Sequence, residues 1–202
     1  MRLLATGICT LLAVSHFTLA EAAPKSTKKM TDTNATQVKF ETTLGNFTVK
    51  LDKAKAPVTV ENFLTYVKEG HYNGTIFHRV IPGFMAQGGG YAADFKQKPT
   101  HAAIKIEADN GLKNNRGTIA MARTGDPNSA TSQFFINFKN NDFLNYTGPT
   151  PQGWGYAVFG EVSEGMEVVD EMAKIPTGPG GPMPTDVPKT AIVINKASVV
   201  GQ

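Results

Sequence analysis

Alternating apolar and polar residues recur along most of the chain beyond residue 36 and predict a protein built mainly of short β-strands. The clearest alternation flanks residues 44–46, where Leu-Gly-Asn is typical of a turn. After this turn, Phe47, Val49 and Leu51 fall on one face and are predicted to point into the core. The first two strands therefore form a predicted hairpin.

Two segments have helical periodicity instead. Pro57 stands where the first turn of a helix tolerates proline, and Gly70 is predicted to stop that helix. Its predicted buried stripe consists of Val58, Phe63, Leu64 and Val67. A second helix is predicted over residues 164–174, with Met166, Val169 and Met172 on one face.

The remaining segments complete an irregular series of strands and loops. Further strands are predicted at residues 104–107, 157–162 and 191–200. Residues 139–155 and 176–188 contain several Pro and Gly residues and are predicted to be irregular loops.

Two strands joined by a Pro-Gly turn mix polar side chains with large apolar ones. Period-two alternation places Phe77, Arg79 and Ile81 on one face of the first strand, and Met85 and Gln87 together on the second. One interpretation is an edge strand in which the aliphatic part of Arg79 covers apolar surface while its head reaches water. The other is a binding surface.

A second pair of strands, within residues 117–138, favours a binding surface. The alternate apolar residues from Phe134 to Phe138 are predicted to be core, so that Gln133, Phe135 and Asn137 face the other way. A small binding site typically combines such apolar side chains with a few hydrogen-bonding groups.

Two of these stretches resemble a known family. Residues 77–89, Phe-His-Arg-Val-Ile-Pro-Gly-Phe-Met-Ala-Gln-Gly-Gly, and residues 132–136, Ser-Gln-Phe-Phe-Ile, are similar to the two signature blocks of the cyclophilin-type peptidyl-prolyl cis-trans isomerases. The similarity in order and spacing extends over residues 38–200. It implies a mainly β fold, a closed eight-stranded antiparallel cyclophilin-like barrel capped by two α-helices.

The resemblance also implies roles for individual residues. Those expected to be catalytic are Arg79, Gln87 and Phe135. Those expected to bind substrate, by lining the proline pocket or bordering the groove beside it, are Phe84, Met85, Ala122, Arg123, Gln133, Phe143, Leu144 and Tyr156. Neither a cofactor nor a metal is expected.

Three of these residues depart from the common family pattern. Phe143 stands where eukaryotic members commonly have Trp, and Tyr156 stands where they have His. Both changes resemble bacterial periplasmic members, and the missing Trp predicts weak binding of cyclosporin. Arg123 replaces a small polar residue, which suggests a preference for acidic residues in a client.

The beginning of the chain has the order of a secretory signal peptide. Arg2 precedes an apolar run over residues 3–20, and Ala-Glu-Ala at residues 20–22 is a small-x-small cleavage site. We therefore predict a signal peptide at residues 1–22, with the periplasm or the cell exterior as destination. The alternative is an uncleaved membrane anchor, because the run is near the lower length limit for spanning a bilayer.

Composition is consistent with one exported domain. Residues 23–36 are rich in Lys, Ser, Thr and Asn and are predicted to be a flexible polar linker to a domain at residues 37–202. The only cysteine, Cys9, lies in the predicted leader, so the mature chain has no disulfide. A net charge of +3 is too small to indicate binding to nucleic acid or to a membrane surface.

The sequence supports two functions of different classes. The first is a monomeric isomerase that acts on Pro-containing segments of unfolded or folding exported proteins. The second is a non-catalytic chaperone or binding module that holds such segments in the same groove. Arg79, Gln87 and Phe135 together favour the enzyme, because a binder has no need for a donor placed near the prolyl nitrogen.

Overall fold

The computed structural model describes residues 36–201, which form ten β-strands and two α-helices. The strands are β1 Gln37–Thr42, β2 Gly45–Leu51, β3 Thr75–Ile81, β4 Met85–Ala92, β5 Thr118–Met121, β6 Phe134–Asn137, β7 Val158–Glu164, β8 Thr177–Gly180, β9 Met183–Pro188 and β10 Val193–Val199. The helices are α1 Pro57–Lys68 and α2 Met166–Met172. The predicted signal peptide, and the predicted linker apart from Thr36, lie outside the described residues.

Eight of these strands close into a barrel in the order β1-β10-β3-β4-β6-β5-β7-β2. Every neighbouring pair is antiparallel, and β1 pairs with β2 to complete the ring. Closure leaves the barrel with no free strand edge. The predicted mainly β fold, an eight-stranded antiparallel barrel with two helices, is confirmed.

The barrel interior is filled largely by aromatic side chains. Phe40 and Phe47 stack with their ring centroids 4.8 Å apart, and Phe63 from α1 lies 5.0 Å from Phe159 and 5.9 Å from Phe134. All five rings are buried. Because α1 contributes to this cluster, the helix closes the barrel rather than forming a site. Truncating such a ring to Ala costs about 3–5 kcal/mol in a typical core.

Helix α1 begins without a side-chain cap from its own N-terminal residue. Instead, the Glu107 carboxylate accepts hydrogen bonds from the backbone N–H of Val58 at 3.1 Å and of Thr59 at 2.8 Å. A carboxylate here satisfies unpaired N–H groups and complements the positive end of the helix dipole. Val58 is 46% exposed, so its predicted place in the buried stripe is wrong. At the first turn the core side instead carries Thr59 and Val60.

Two predictions of local structure are also wrong. Residues 104–107 form no strand; Ile104 makes an isolated bridge to Ala130. Residues 176–188 are not irregular, because β8 and β9 pair as a separate antiparallel hairpin. A two-stranded ribbon tolerates proline, since the N–H groups on its outer edges need no partner in the ladder.

Strand β3 contains an irregularity that reverses its alternation. Phe77 pairs with Gly88 and Arg79 with Gln87, so His78 is an extra residue on β3. Phe77 therefore joins the barrel core, whereas Arg79 and Ile81 face outward. The prediction that Phe77 shares a face with Arg79 is wrong, because a β-bulge shifts the parity of the strand by one residue.

Candidate functional site

The three residues predicted to be catalytic lie side by side on three neighbouring strands. Arg79 on β3 pairs with Gln87 on β4, and Gln87 pairs with Phe135 on β6. Residues directly opposite one another in antiparallel strands project on the same side of the sheet, about 4.5–5.5 Å apart. The register thus forms a row of a cation, an amide and an aromatic ring from residues 56 positions apart in sequence. We call it the Arg79–Gln87–Phe135 row.

An apolar cluster outside the barrel core adjoins this row. Its buried members are Met85, Ala120, Phe135, Leu144 and Val158, and its half-buried neighbours include Ile81, Phe84, Ala122 and Tyr156. Phe135, which was predicted to be catalytic, and the predicted substrate-binding residues Phe84, Met85 and Leu144 therefore belong to one cluster. We call this cluster the outer pocket.

Aromatic contacts border the outer pocket on both sides. The Phe84 and Phe143 rings stack with centroids 5.5 Å apart, and Phe143 is 73% exposed. On the other side the Phe135 and Tyr156 rings meet edge to face at 5.5 Å. An apolar floor with exposed aromatic edges can hold a small ring such as that of proline.

The two glutamines of the site contact each other. Gln87 Nε2 donates to Gln133 Oε1 at 2.9 Å, which joins β4 to the residue before β6. Gly90 makes room for this pair, because a Cβ atom there would lie 2.5 Å from Gln133 Cγ. The side-chain Nε2 of Gln133 and the side-chain Oε1 of Gln87 have no hydrogen-bond partner within residues 36–201.

Arg79 is held at one end of the row by an acidic residue that the sequence did not indicate. Its Nε donates to Asp186 Oδ2 at 3.4 Å, and the two side chains are 44% and 31% exposed. The terminal nitrogens Nη1 and Nη2 have no hydrogen-bond partner in the described part of the chain. A guanidinium stays charged at all physiological pH values and carries five N–H donors.

Arg123 contacts Tyr156 and the loops around it. Its Nε donates to the Gly155 carbonyl at 2.8 Å, Nη1 donates to the Thr124 carbonyl at 2.8 Å, and the guanidinium carbon lies 4.8 Å from the Tyr156 ring centroid. Gly155 has φ +61°, and a Cβ there would lie 2.4 Å from the Leu144 carbonyl oxygen. Arg123 therefore fixes this side of the groove as well as giving it a positive charge.

Three fully buried asparagines, Asn114, Asn137 and Asn141, support the outer pocket from behind. Asn141 Nδ2 donates to Asn137 Oδ1 at 2.7 Å and to the Phe84 carbonyl at 3.0 Å. Asn114 Nδ2 donates to the Leu144 carbonyl at 3.1 Å. We call these three residues the asparagine network. Of these three asparagines, only Asn137 was assigned a position from the sequence, on the strand face away from the core.

His78, the extra residue of the bulge, is buried, and its ring centroid lies 4.7 Å from that of Tyr91. Burial lowers the pKa of His78 from 6.5 to about 4, and the positive charge of Arg79 adds to the effect. The imidazole is therefore neutral at pH 7 beside the permanently charged Arg79.

Residues 36–201 have neither a metal-binding cluster nor a membrane-spanning helix. They contain no cluster of three or more His, Cys, Asp or Glu side chains arranged to hold a metal ion. None of the helices in this part of the chain is long and apolar enough to cross a membrane.

Comparison with known sequences gives one family. The family model for cyclophilin type peptidyl-prolyl cis-trans isomerase/CLD matches residues 37–199. The chain is 57% identical to peptidyl-prolyl cis-trans isomerase B of Escherichia coli (strain K12), over 80% of this chain and 98% of that protein. It is 50% identical to peptidyl-prolyl cis-trans isomerase A of Dickeya dadantii (strain 3937), over 96% of this chain and 95% of that protein.

Comparison with solved structures agrees. A cyclophilin type peptidyl-prolyl cis-trans isomerase of Cryptosporidium parvum superposes with a TM-score of 0.67 at 27% identity, covering 83% of this chain and 99% of that chain. A structure of the same protein in the presence of the dipeptide ala-pro gives a TM-score of 0.66, also at 27% identity, covering 82% and 99%. The chain belongs to the cyclophilin-type peptidyl-prolyl cis-trans isomerases.

Proposed function

We propose that this isomerase accelerates rotation of X-Pro bonds in exported proteins by directing the Arg79 guanidinium at the prolyl nitrogen. Family membership identifies the reaction as cis-trans isomerisation of these bonds. The proposal concerns the mechanism, the clients and the cellular location. The observation that carries the mechanism is the Arg79–Gln87–Phe135 row beside the outer pocket.

The chemistry requires a donor that favours the twisted bond. Resonance gives the X-Pro bond its barrier of about 18–20 kcal/mol, and rotation breaks that resonance. The twisted nitrogen becomes pyramidal and accepts a hydrogen bond better than either planar form does. A donor fixed near this nitrogen therefore stabilises the transition state more than the ground state. An acceleration of about 10⁵ needs roughly 7 kcal/mol of such differential stabilisation.

The groove has the parts needed to place a proline near Arg79. The ring would lie in the outer pocket against Met85, Phe135 and Leu144, all of which are buried there without belonging to the barrel core. Gln87 lies between Arg79 and Phe135 in the row. Its side-chain Oε1 can accept a hydrogen bond from the substrate backbone. The unpartnered Nη groups of Arg79 supply the donor.

The residues that precede proline in a client would bind as an extended segment beside Ala122, Arg123 and Gln133. The β5–β6 ladder ends at the Met121–Phe134 pair, and Ala122 N–H donates to the Gln133 carbonyl at 3.0 Å. In the described part of the chain, neither the backbone N–H nor the backbone C=O of Arg123 has a hydrogen-bond partner. These groups are available to pair with a peptide backbone, which predicts broad client selection.

The cellular part of the proposal rests on the leader sequence. A charged residue, an apolar run and the Ala-Glu-Ala site at residues 20–22 support export to the periplasm or the cell exterior. The clients would then be Pro-containing segments of unfolded or folding exported proteins. We further propose that the mature enzyme is a monomer. We also propose that it binds cyclosporin weakly, because Phe143 replaces the Trp of eukaryotic members.

The test is cis-to-trans relaxation of a short Ala-Pro peptide with catalytic amounts of residues 23–202. Arg79→Ala is expected to lose at least tenfold in kcat/KM while staying folded. Arg116→Ala is the matched control, because the Arg116 guanidinium binds Phe138 and Asp170 instead of a groove residue. If Arg79→Ala retains full activity, the mechanism is wrong. If the wild type binds the peptide without accelerating relaxation, the protein is a binding module.

A further inference from the structure

Asp186 has an unusual backbone conformation. Within residues 36–201, only two residues other than glycine have a φ in the left-handed region, Phe95 at +62° and Asp186 at +66°. Side chains with a Cβ adopt this region at a cost in free energy, which the surrounding structure must offset. Such residues cluster at functional sites, where the strain is part of the mechanism.

Both residues lie where the β8–β9 hairpin contacts the rest of the molecule. At the hairpin tip, Gly181 approaches Phe95 so closely that a Cβ on Gly181 would lie 2.4 Å from Phe95 Cγ. Asp186 lies on β9, and its carboxylate accepts the hydrogen bond from Arg79 Nε. The hairpin is therefore held at its tip by an aromatic ring and along β9 by the ion pair with Arg79.

We infer that Asp186 is a positioning residue for Arg79, presented by the β8–β9 hairpin. This inference rests on the proposed function. An arginine side chain has four rotatable bonds, and an outward-facing one on a strand samples many rotamers. A carboxylate bound at Nε restricts those rotamers and leaves Nη1 and Nη2 as donors for the substrate.

The geometry of the contact favours positioning over simple charge neutralisation. The carboxylate binds Nε, the donor nearest the strand, and no bidentate pair with the Nη groups forms. By contrast, Asp170 binds both Nη1 and Nη2 of Arg116 at 2.8 Å and so occupies those donors. The Asp186 contact thus orients the guanidinium without using the nitrogens that would face a prolyl nitrogen.

The test is the steady-state kinetics of Asp186→Asn in the full chain with an Ala-Pro peptide. Asn retains the size of Asp and tolerates left-handed φ, so the substitution removes the charge with little effect on the backbone. We expect kcat/KM to fall about three- to tenfold, because a charge-assisted hydrogen bond becomes a neutral one. The loss should lie in kcat with KM unchanged, since Asp186 contacts Arg79 and not the proline pocket. Asp170→Asn, which weakens the other Asp–Arg pair, should leave kcat/KM within twofold of wild type.

A double-mutant cycle separates this inference from the proposed function. In the Arg79→Ala background, Asp186→Asn should cause no further loss, because the group that it positions is gone. If Arg79→Ala is inactive but Asp186→Asn is within twofold of wild type or faster, the positioning inference is wrong and the proposed function stands. If Arg79→Ala is fully active, the proposed function fails and the inference fails with it.

A purely structural role for Asp186 makes a different prediction. If Asp186 had only a structural role, the melting midpoints of Asp186→Asn and Asp186→Gly would fall, while each folded variant would keep the wild-type kcat. We expect the reverse for Asp186→Gly: an unchanged or higher midpoint, because glycine relieves the left-handed strain, together with a fall in kcat at least as large as that of Asp186→Asn. Full kcat in the folded Gly variant would overturn the inference.

Discussion

Arg79 owes its outward orientation to one extra residue in β3. The bulge at His78 allows Phe77 to remain in the core while Arg79 lies beside Gln87 on the outer face of the sheet. His78 itself is enclosed, and its Nδ1 has no hydrogen-bond partner within residues 36–201. The extra residue that places Arg79 on the outer face is thus a buried, neutral imidazole, and its burial makes the stability of the fold depend on pH.

We expect acid to weaken the fold through His78. Its folded pKa of about 4 lies below the ordinary 6.5, so between these values the unfolded chain binds a proton that the folded chain does not. Stability should therefore fall as pH drops from 6.5 to 4, by about 3 kcal/mol for this residue, and level off below. Urea unfolding of wild type and His78→Gln at pH 7.5 and 4.5 measures the difference in slope. Equal slopes in the two proteins would contradict this account.

Gly90 allows the Gln87–Gln133 contact, and Gly90→Ala should disturb it. The added Cβ would meet Gln133 Cγ at 2.5 Å, so the Gln133 side chain must move away from Gln87. We expect kcat/KM for an Ala-Pro peptide to fall severalfold. Gly125→Ala is the control, because a Cβ there meets no atom within 4 Å. Equal activity of the two variants would show that the glutamine contact does not matter for turnover.

At the scale of elements, the long loop between β6 and β7 contains one short 3-10 helix, Asp142–Leu144, and is held in place by both backbone and side-chain hydrogen bonds. The asparagine network binds the carbonyls of Phe84 and Leu144, which belong to the outer pocket. Buried amides are costly unless their hydrogen bonds are satisfied, and every side-chain N and O atom of the network except Asn141 Oδ1 has a partner within residues 36–201. The network therefore favours one arrangement of the loop. The shape of the pocket therefore depends on residues that do not face it.

Removing one member of the asparagine network should loosen the pocket. Asn141→Ala deletes the hydrogen bonds to the Phe84 carbonyl, which keeps the Phe138 N–H, and to Asn137 Oδ1, which is left buried without a donor. We expect a loss of about 1–3 kcal/mol in stability. We expect KM to rise more than kcat falls, because the pocket floor shifts while Arg79 keeps its partners. Peptide kinetics below the melting transition measure both values. Asn140→Ala is the comparison, because the Asn140 side chain is exposed in the same loop and accepts only from the Arg116 backbone N–H, outside the asparagine network. A lower kcat with an unchanged KM would refute this role.

The whole molecule places its core and the proposed binding groove on opposite faces of one sheet. The inner face of the barrel and the two helices form the core, whereas the outer face of β3, β4, β6 and β5 carries the groove. A closed barrel is rigid enough to hold the Arg79–Gln87–Phe135 row in register, and such preorganisation is what electrostatic catalysis requires.

The predicted signal peptide at residues 1–22 allows a test of export and cleavage with the whole chain. Expressed in a bacterial host with its own leader, the protein should be found in the periplasm with Ala23 as its first residue, because cleavage follows Ala-Glu-Ala at residues 20–22. Intact-mass measurement of the purified protein gives the processed end, and a chain that begins at residue 23 is the cytoplasmic control. Recovery of the uncleaved chain in the membrane fraction would favour the anchor interpretation.

Local periodicity determined a large part of this protein. The β1–β2 hairpin, the core face of Phe134 and Ile136 and the outward position of Phe135 follow from alternation within a strand, which needs no knowledge of its neighbours. The two signature stretches added the barrel and the family. Both helices were predicted from the helical periodicity of their apolar residues, although Val58 was placed on the wrong side at the first turn.

Pairing between distant residues decided the rest. The bulge at His78 exists only because β4 lies opposite β3, and it reversed the side of the sheet on which Phe77 lies relative to Arg79. The Asp186–Arg79 contact joins residues 107 positions apart, through a hairpin that was predicted to be irregular. No period in the sequence encodes such contacts, because they depend on register between strands and on the space left by other side chains. The sequence alone therefore determined which residues could form the groove, and the tertiary structure decided how Arg79 is oriented within it.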